Sequence, residues 1–126
     1  MKIAKLIVSG LLFAAATLSH ALEVKPYSAA ALAAAEMGNQ PVALLFHADW
    51  CPTCRVQEKV VQSLATEKGL DLTILKVNYD TEKDLKRRFR INSQSSLVVL
   101  RGQKETARLV GDTSTDGIRR ALKTAL

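Results

Sequence analysis

The chain of 126 residues holds two cysteines, and both stand in the stretch "DWCPTCR" as Cys51 and Cys54. Such a pair can serve three kinds of chemistry. A structural disulfide across so short a span closes a tiny loop and adds little stability. A zinc site needs about four ligands, and beyond residue 21 only His47 joins the thiols as a histidine, so a closed site would need a second chain. A redox pair needs nothing more: one thiolate attacks a partner disulfide, and the second thiol, across two intervening residues, reaches back to resolve the mixed disulfide.

The flanking residues favour the third use. The cysteines fall where an apolar run, "PVALLFHA", ends and an amphipathic run begins. At a helix N-terminus unpaired N–H groups and the helix dipole favour an anion, so Cys51 is expected to have a lowered pKa. Pro52 suits the first helical turn, where its missing N–H is no loss. Trp50 offers an apolar shoulder that a partner polypeptide can cover.

The elements that must position these residues are legible in turn. "LEVKPY" reads as a short edge strand. "SAAALAAAEMGN" reads as a helix capped by Ser28 and ended by Gly38 and Asn39. The run from Pro41 is apolar enough for a strand buried on both faces. Val56, Val60 and Leu64, with Val61 and Ala65 beside them, predict a helix that runs to about Lys68 and stops at Gly69. "LTILKVNY" is a second buried strand, and "TEKDLKRRFR" a helix with Thr81 as its cap. "SLVVLRGQKETARLV" is a hairpin turning at Arg101, Gly102 and Gln103. "TSTDGIRRALKTAL" closes the chain as an amphipathic helix whose first turn Gly117 weakens. The order β, α, β, α, β, α, β, β, α describes one α/β domain, a central mixed sheet flanked by helices.

Residues 1–21 read as a separate segment. Lys2 and Lys5 precede an apolar run, and Ser19 and Ala21 supply the small residues of a cleavage site after Ala21. The run from Leu6 to Leu18 is shorter than the roughly 20 residues a spanning helix needs. No cysteine lies near the cleavage site, which excludes a lipid anchored through one. The expected organisation is a signal peptide, 1–21, and a domain, 22–126, delivered to the periplasm, where disulfides persist. Net charge is +6, much of it between Lys83 and Arg90. Leu85 and Phe89 give that segment a packing face and leave the bases to solvent. Nucleic acid is not an expected partner, because the chain is exported and no aromatic residues interleave the bases.

On the strand "PVALLFHADWC", the Cys-x-x-C helix, "LKVNYD", Phe89, Ile91 and the terminal hairpin and helix, the chain resembles the thioredoxin family. "WCPTCR" is also similar to the motif of periplasmic thiol reductases that serve cytochrome c maturation. The resemblance implies a thioredoxin-like fold, thiol-disulfide oxidoreductase activity on protein partners without an organic cofactor, and a monomer. It implies that Cys51 is the attacking, more exposed thiol and Cys54 the buried resolving one, and that a membrane carrier supplies electrons.

Three positions depart from the family pattern. Ser95 stands where the family has a cis-proline, and a trans Gln94–Ser95 peptide is expected. Leu45 stands where many members have a buried acid that serves the resolving thiol. His47, on the same face of that strand, is the candidate for proton transfer, since imidazole exchanges protons near neutrality; alternatively it fills the place of an aromatic ring. Glu58 reads as solvated. Between the cysteines, Pro52 and Thr53 replace Gly-Pro, and this dipeptide tunes the reduction potential. The "CPTC" likeness points to a reductant. Two other readings stay open: a binding module without chemistry, and a metal or cluster bridging two protomers at Cys-x-x-C, made accessible by the small Ser95.

Overall fold

The computed structural model describes residues 21–126 together with Gly10; the signal-peptide reading otherwise lies outside the described residues. Among the described residues nine elements follow in the expected order: β1 (Glu23–Pro26), α1 (Ala29–Met37), β2 (Pro41–His47), α2 (Pro52–Leu64), β3 (Thr73–Asn78), α3 (Lys83–Phe89), β4 (Ser96–Arg101), β5 (Lys104–Val110) and α4 (Thr115–Lys123). The strands form one sheet in the order β1-β3-β2-β4-β5. β1 and β2 flank β3 in parallel, whereas β4 runs antiparallel to both β2 and β5. The apolar run from Pro41 thus becomes the central strand, buried from Val42 onward.

Alternation along β2 divides the core in two. Ala43 and Leu45 pack with Val61 and Leu64 of α2 and Ile118 and Leu122 of α4. Val42, Leu44 and Phe46 pack on the other face with Leu32 of α1 and Leu85 of α3. Leu22 is also buried in the first of these clusters, at 4% exposure. A fully buried side chain of this size contributes about 1.5–3 kcal/mol, so the sheet that leads into the cysteines is anchored on both sides.

Two expectations about helices are corrected. α2 ends at Leu64, not near Lys68, because the Thr66 hydroxyl bonds the Ser63 carbonyl and the following N–H groups fall back on tighter turns. Its buried stripe is Cys54, Gln57, Val61 and Leu64, while Val56 is exposed. Thr81 does not cap α3. The N-cap is Glu82, without a side-chain bond, and the Asn78 carboxamide oxygen instead accepts from the N–H groups of Asp80 and Thr81. Ser28 and Ser114 do cap α1 and α4 through their hydroxyls. Gly117 has a positive use: a methyl there would overlap Asp112 Oδ2 and Ser114 Oγ, the cap itself.

Candidate functional site

β2, the central strand, ends at His47, and Cys51 serves as N-cap of α2. Its φ of −88° and ψ of 115° are extended, and its sulfur takes the place a cap oxygen usually fills: Cys54 N–H donates to Cys51 Sγ at 3.2 Å. Pro52 opens the helix and, like Thr53, is exposed. Both cysteines are free thiols, and they pack with Ala48 and Tyr79 in a small cluster of their own. The expected contrast in exposure is slight, Cys51 at 3% and Cys54 at 1%.

Electrostatics separate the two thiols more clearly than exposure does. Burial pushes Cys51 up, but hydrogen bonds from Cys54, the Ser95 hydroxyl and the N–H groups of Cys54 and Thr53 outweigh it, so the net shift is downward. Cys54 moves upward, first through burial and then through its hydrogen bond to Cys51. The two thiols are thereby distinguished in the reduced protein, Cys51 as the more readily ionised and Cys54 as the one that holds its proton.

Ser95 faces both sulfurs. Its Oγ lies 2.9 Å from Cys54 Sγ and 3.6 Å from Cys51 Sγ. The residue is buried and left-handed, with φ of 64°, and no peptide bond among the described residues is cis. Its N–H donates to the Phe46 carbonyl at 2.9 Å, and its carbonyl accepts from Gly111 N–H and from Gln57 Nε2. Gln57 donates a second bond to the Asp112 carbonyl at 3.1 Å. Sequence reading passed over Gln57, although counting a helical turn on from Cys54 places it on the buried face.

The other candidates lie around this centre. Trp50 is 59% exposed, and its indole N–H donates to Asp80 Oδ2 at 2.8 Å. His47 faces α2, as Leu45 does, but its Nε2 bonds Asp49 at 2.9 Å and lies 3.9 Å from Glu58, and no hydrogen bond joins it to either sulfur. Its Nδ1 is buried without a partner among the described residues. Glu58 is not freely solvated: it is half-buried and pairs with Lys76 at 2.8 Å. Among the described residues no group of three or more His, Cys, Asp or Glu is placed to hold a metal.

Leu85 is buried and Phe89 packs beside it, so α3 uses the apolar face expected of it. Among its bases, Arg87 pairs with Asp84 and Arg88 with Glu36.

The family model described as Thioredoxin matches residues 24–124. Thioredoxin of Mycobacterium bovis is 34% identical over 73 residues, which is 58% of this chain and 63% of that protein; the chain thus spans under two thirds of the length of that curated relative. The crystal structure of Trxlp from Edwardsiella tarda superposes with a TM-score of 0.74 at 37% identity, covering 79% of this chain and 98% of the other. The germline-specific thioredoxin Deadhead of Drosophila melanogaster gives a TM-score of 0.61 at 25% identity, over 70% of this chain and 83% of its own.

Proposed function

Because the chain belongs to the thioredoxin family, we propose that it is an exported thiol-disulfide oxidoreductase that reduces protein partners through Cys51 and Cys54. The observation that carries this reading is the sulfur of Cys51 at the helix cap, where the Cys54 N–H donates to it at 3.2 Å. A thiolate held there attacks one sulfur of a partner disulfide. The bond between the partner sulfurs breaks, one leaves as a thiol, and the other stays bonded to Cys51. Cys54 then attacks the Cys51 sulfur, closes the Cys51–Cys54 disulfide and frees the second partner sulfur. Two electrons have passed to the partner.

Direction and setting are parts of the same proposal. The Pro-Thr dipeptide, in its likeness to periplasmic thiol reductases, supports a reductant recharged by a membrane electron carrier. The leader-like residues 1–21 support the periplasm, and the single domain supports a monomer. Among the described residues no helix is long and apolar enough to cross a membrane.

Purified protein is expected to reduce a protein disulfide such as insulin. Cys51→Ser abolishes this, and Cys54→Ser accumulates a mixed disulfide with partners in periplasmic extract. A Cys54→Ser protein that traps nothing would sink the exchange mechanism. Equilibration against glutathione or dithiothreitol buffers settles direction: a potential near the about −270 mV of thioredoxin supports a reductant, and one near about −120 mV reverses the assignment.

A further inference from the structure

We propose that the Ser95 hydroxyl is a catalytic proton relay, carrying the proton of Cys54 to the partner sulfur that departs from Cys51. The proposal rests on the exchange reading above.

A hydroxyl donates one hydrogen bond while accepting others, and Ser95 Oγ is in reach of both sulfurs, at 2.9 Å and 3.6 Å. Cys54 S–H can therefore donate to Ser95 Oγ while Ser95 O–H donates to the Cys51 sulfur. A concerted shift along that chain moves a proton from one sulfur to the other without water. Burial, which pushes both thiols up, makes direct ionisation of Cys54 unfavourable, and the Ser95 bond acts against burial at both.

Backbone conformation supplies a second, independent observation. A φ of 64° is uncommon for serine and costs on the order of 1 kcal/mol or more. Glycine would adopt it freely; proline could not, with φ fixed near −65° and no N–H for Phe46. The conformation is held by the Phe46 carbonyl, Gly111 N–H and Gln57, itself fixed by Asp112. A strained, buried serine held by that many bonds presents its hydroxyl to the thiols and to nothing else.

Neighbouring titratable groups have other partners. The Tyr79 hydroxyl donates to the Asn92 carbonyl, His47 bonds Asp49 with Glu58 nearby, and Asp80 accepts from Trp50. The Asp112 carboxylate accepts from Ser114. Ser95 is the one side chain besides the cysteines themselves that hydrogen-bonds either sulfur among the described residues.

The step balances. In the mixed disulfide the partner sulfur sits about 2 Å from Cys51 Sγ, beside the atom Ser95 faces. The Cys54 sulfur attacks the Cys51 sulfur as its proton passes to Ser95 Oγ. The Cys51–Cys54 bond forms, the Cys51–partner bond breaks, and the Ser95 hydroxyl proton passes to the departing sulfur. The partner leaves as a thiol with the electron pair and that proton, and Ser95 is a hydroxyl again.

The test uses reduced protein and oxidised glutathione, with acid quenching and intact-mass measurement of the glutathione mixed disulfide over time and pH. Wild type, Ser95→Ala and Ser95→Gly are compared, and the glycine variant keeps the fold by relieving the strained φ. Below the Cys54 thiol range the relay predicts a wild-type resolution rate almost independent of pH. Both variants should accumulate the mixed disulfide and resolve it at least about tenfold more slowly, with a rate that falls about tenfold per pH unit as the Cys54 thiolate disappears. Wild-type rates and pH profiles in both variants overturn the relay alone. So do opposite changes in alanine and glycine, which would mark a backbone effect. A wild type that forms no mixed disulfide, in a sample whose Cys54→Ser variant forms none either, overturns the exchange reading and the relay with it.

Discussion

At the scale of single residues, the two cysteines impose opposite pH dependences on the reduced protein. Cys51 is lowered from the ordinary value of 9.0, so between its own pKa and 9 the unfolded chain binds a proton the folded one has lost. Stability rises with pH across that window, and the Cys51 contribution is lost again as pH falls through its folded pKa. Cys54 is raised from 9.0, so above 9 the folded form holds the extra proton and stability falls. Urea titrations of the reduced protein across this range are expected to show a rise followed by a fall, and Cys51→Ala should remove the rise. The lowered pKa of Cys51 was legible because a strand-to-helix junction alone predicts it. The departure at Ser95 was legible too, but its left-handed φ and its contact with both sulfurs were not. Those depend on Phe46, Gly111 and Gln57, which are remote in sequence from Ser95.

At the scale of elements, helix ends were the weak point of the sequence reading. Apolar spacing from Val56 suggested one face of α2, whereas the buried face runs through Cys54 and Gln57. A polar residue was admitted there because two carbonyls, of Ser95 and Asp112, await its amide. Gln57→Leu should therefore cost about 1–3 kcal/mol by leaving the Asp112 carbonyl unpaired in a part-buried site, read as a lower urea midpoint. α4 offers a sharper case. Ser114→Ala removes the bond to Gly117 N–H and should cost about 1 kcal/mol. Gly117→Ala should fail to gain the about 0.8–1 kcal/mol that alanine normally brings to a helix, since its methyl displaces the Asp112 and Ser114 side chains that form the cap. A full gain in thermal stability would show that the cap contributes nothing.

At the scale of the whole molecule, element order and class followed from the alternation of apolar runs and capped helices. Strand order did not, because a lone sequence carries no register between β2 and its two neighbours, β3 and β4. The buried Leu22 bears on the proposed export: a chain cleaved after Ala21 would keep this side chain in the core beside Leu70 and Leu72. Intact-mass measurement on a periplasmic fraction should find a chain that begins at Leu22. Leu22→Ala should cost about 2 kcal/mol or more, by denaturant unfolding of that mature form.

Trp50 is the only tryptophan in the chain, it precedes Cys51, and its ring is largely open to solvent while its N–H is tied to Asp80. The protein consequently carries its own optical gauge. Thiols and disulfides quench indole emission to different extents, so the fluorescence of this one ring should step as the cysteines change oxidation state and shift in colour when a partner covers it, allowing turnover to be followed without a label.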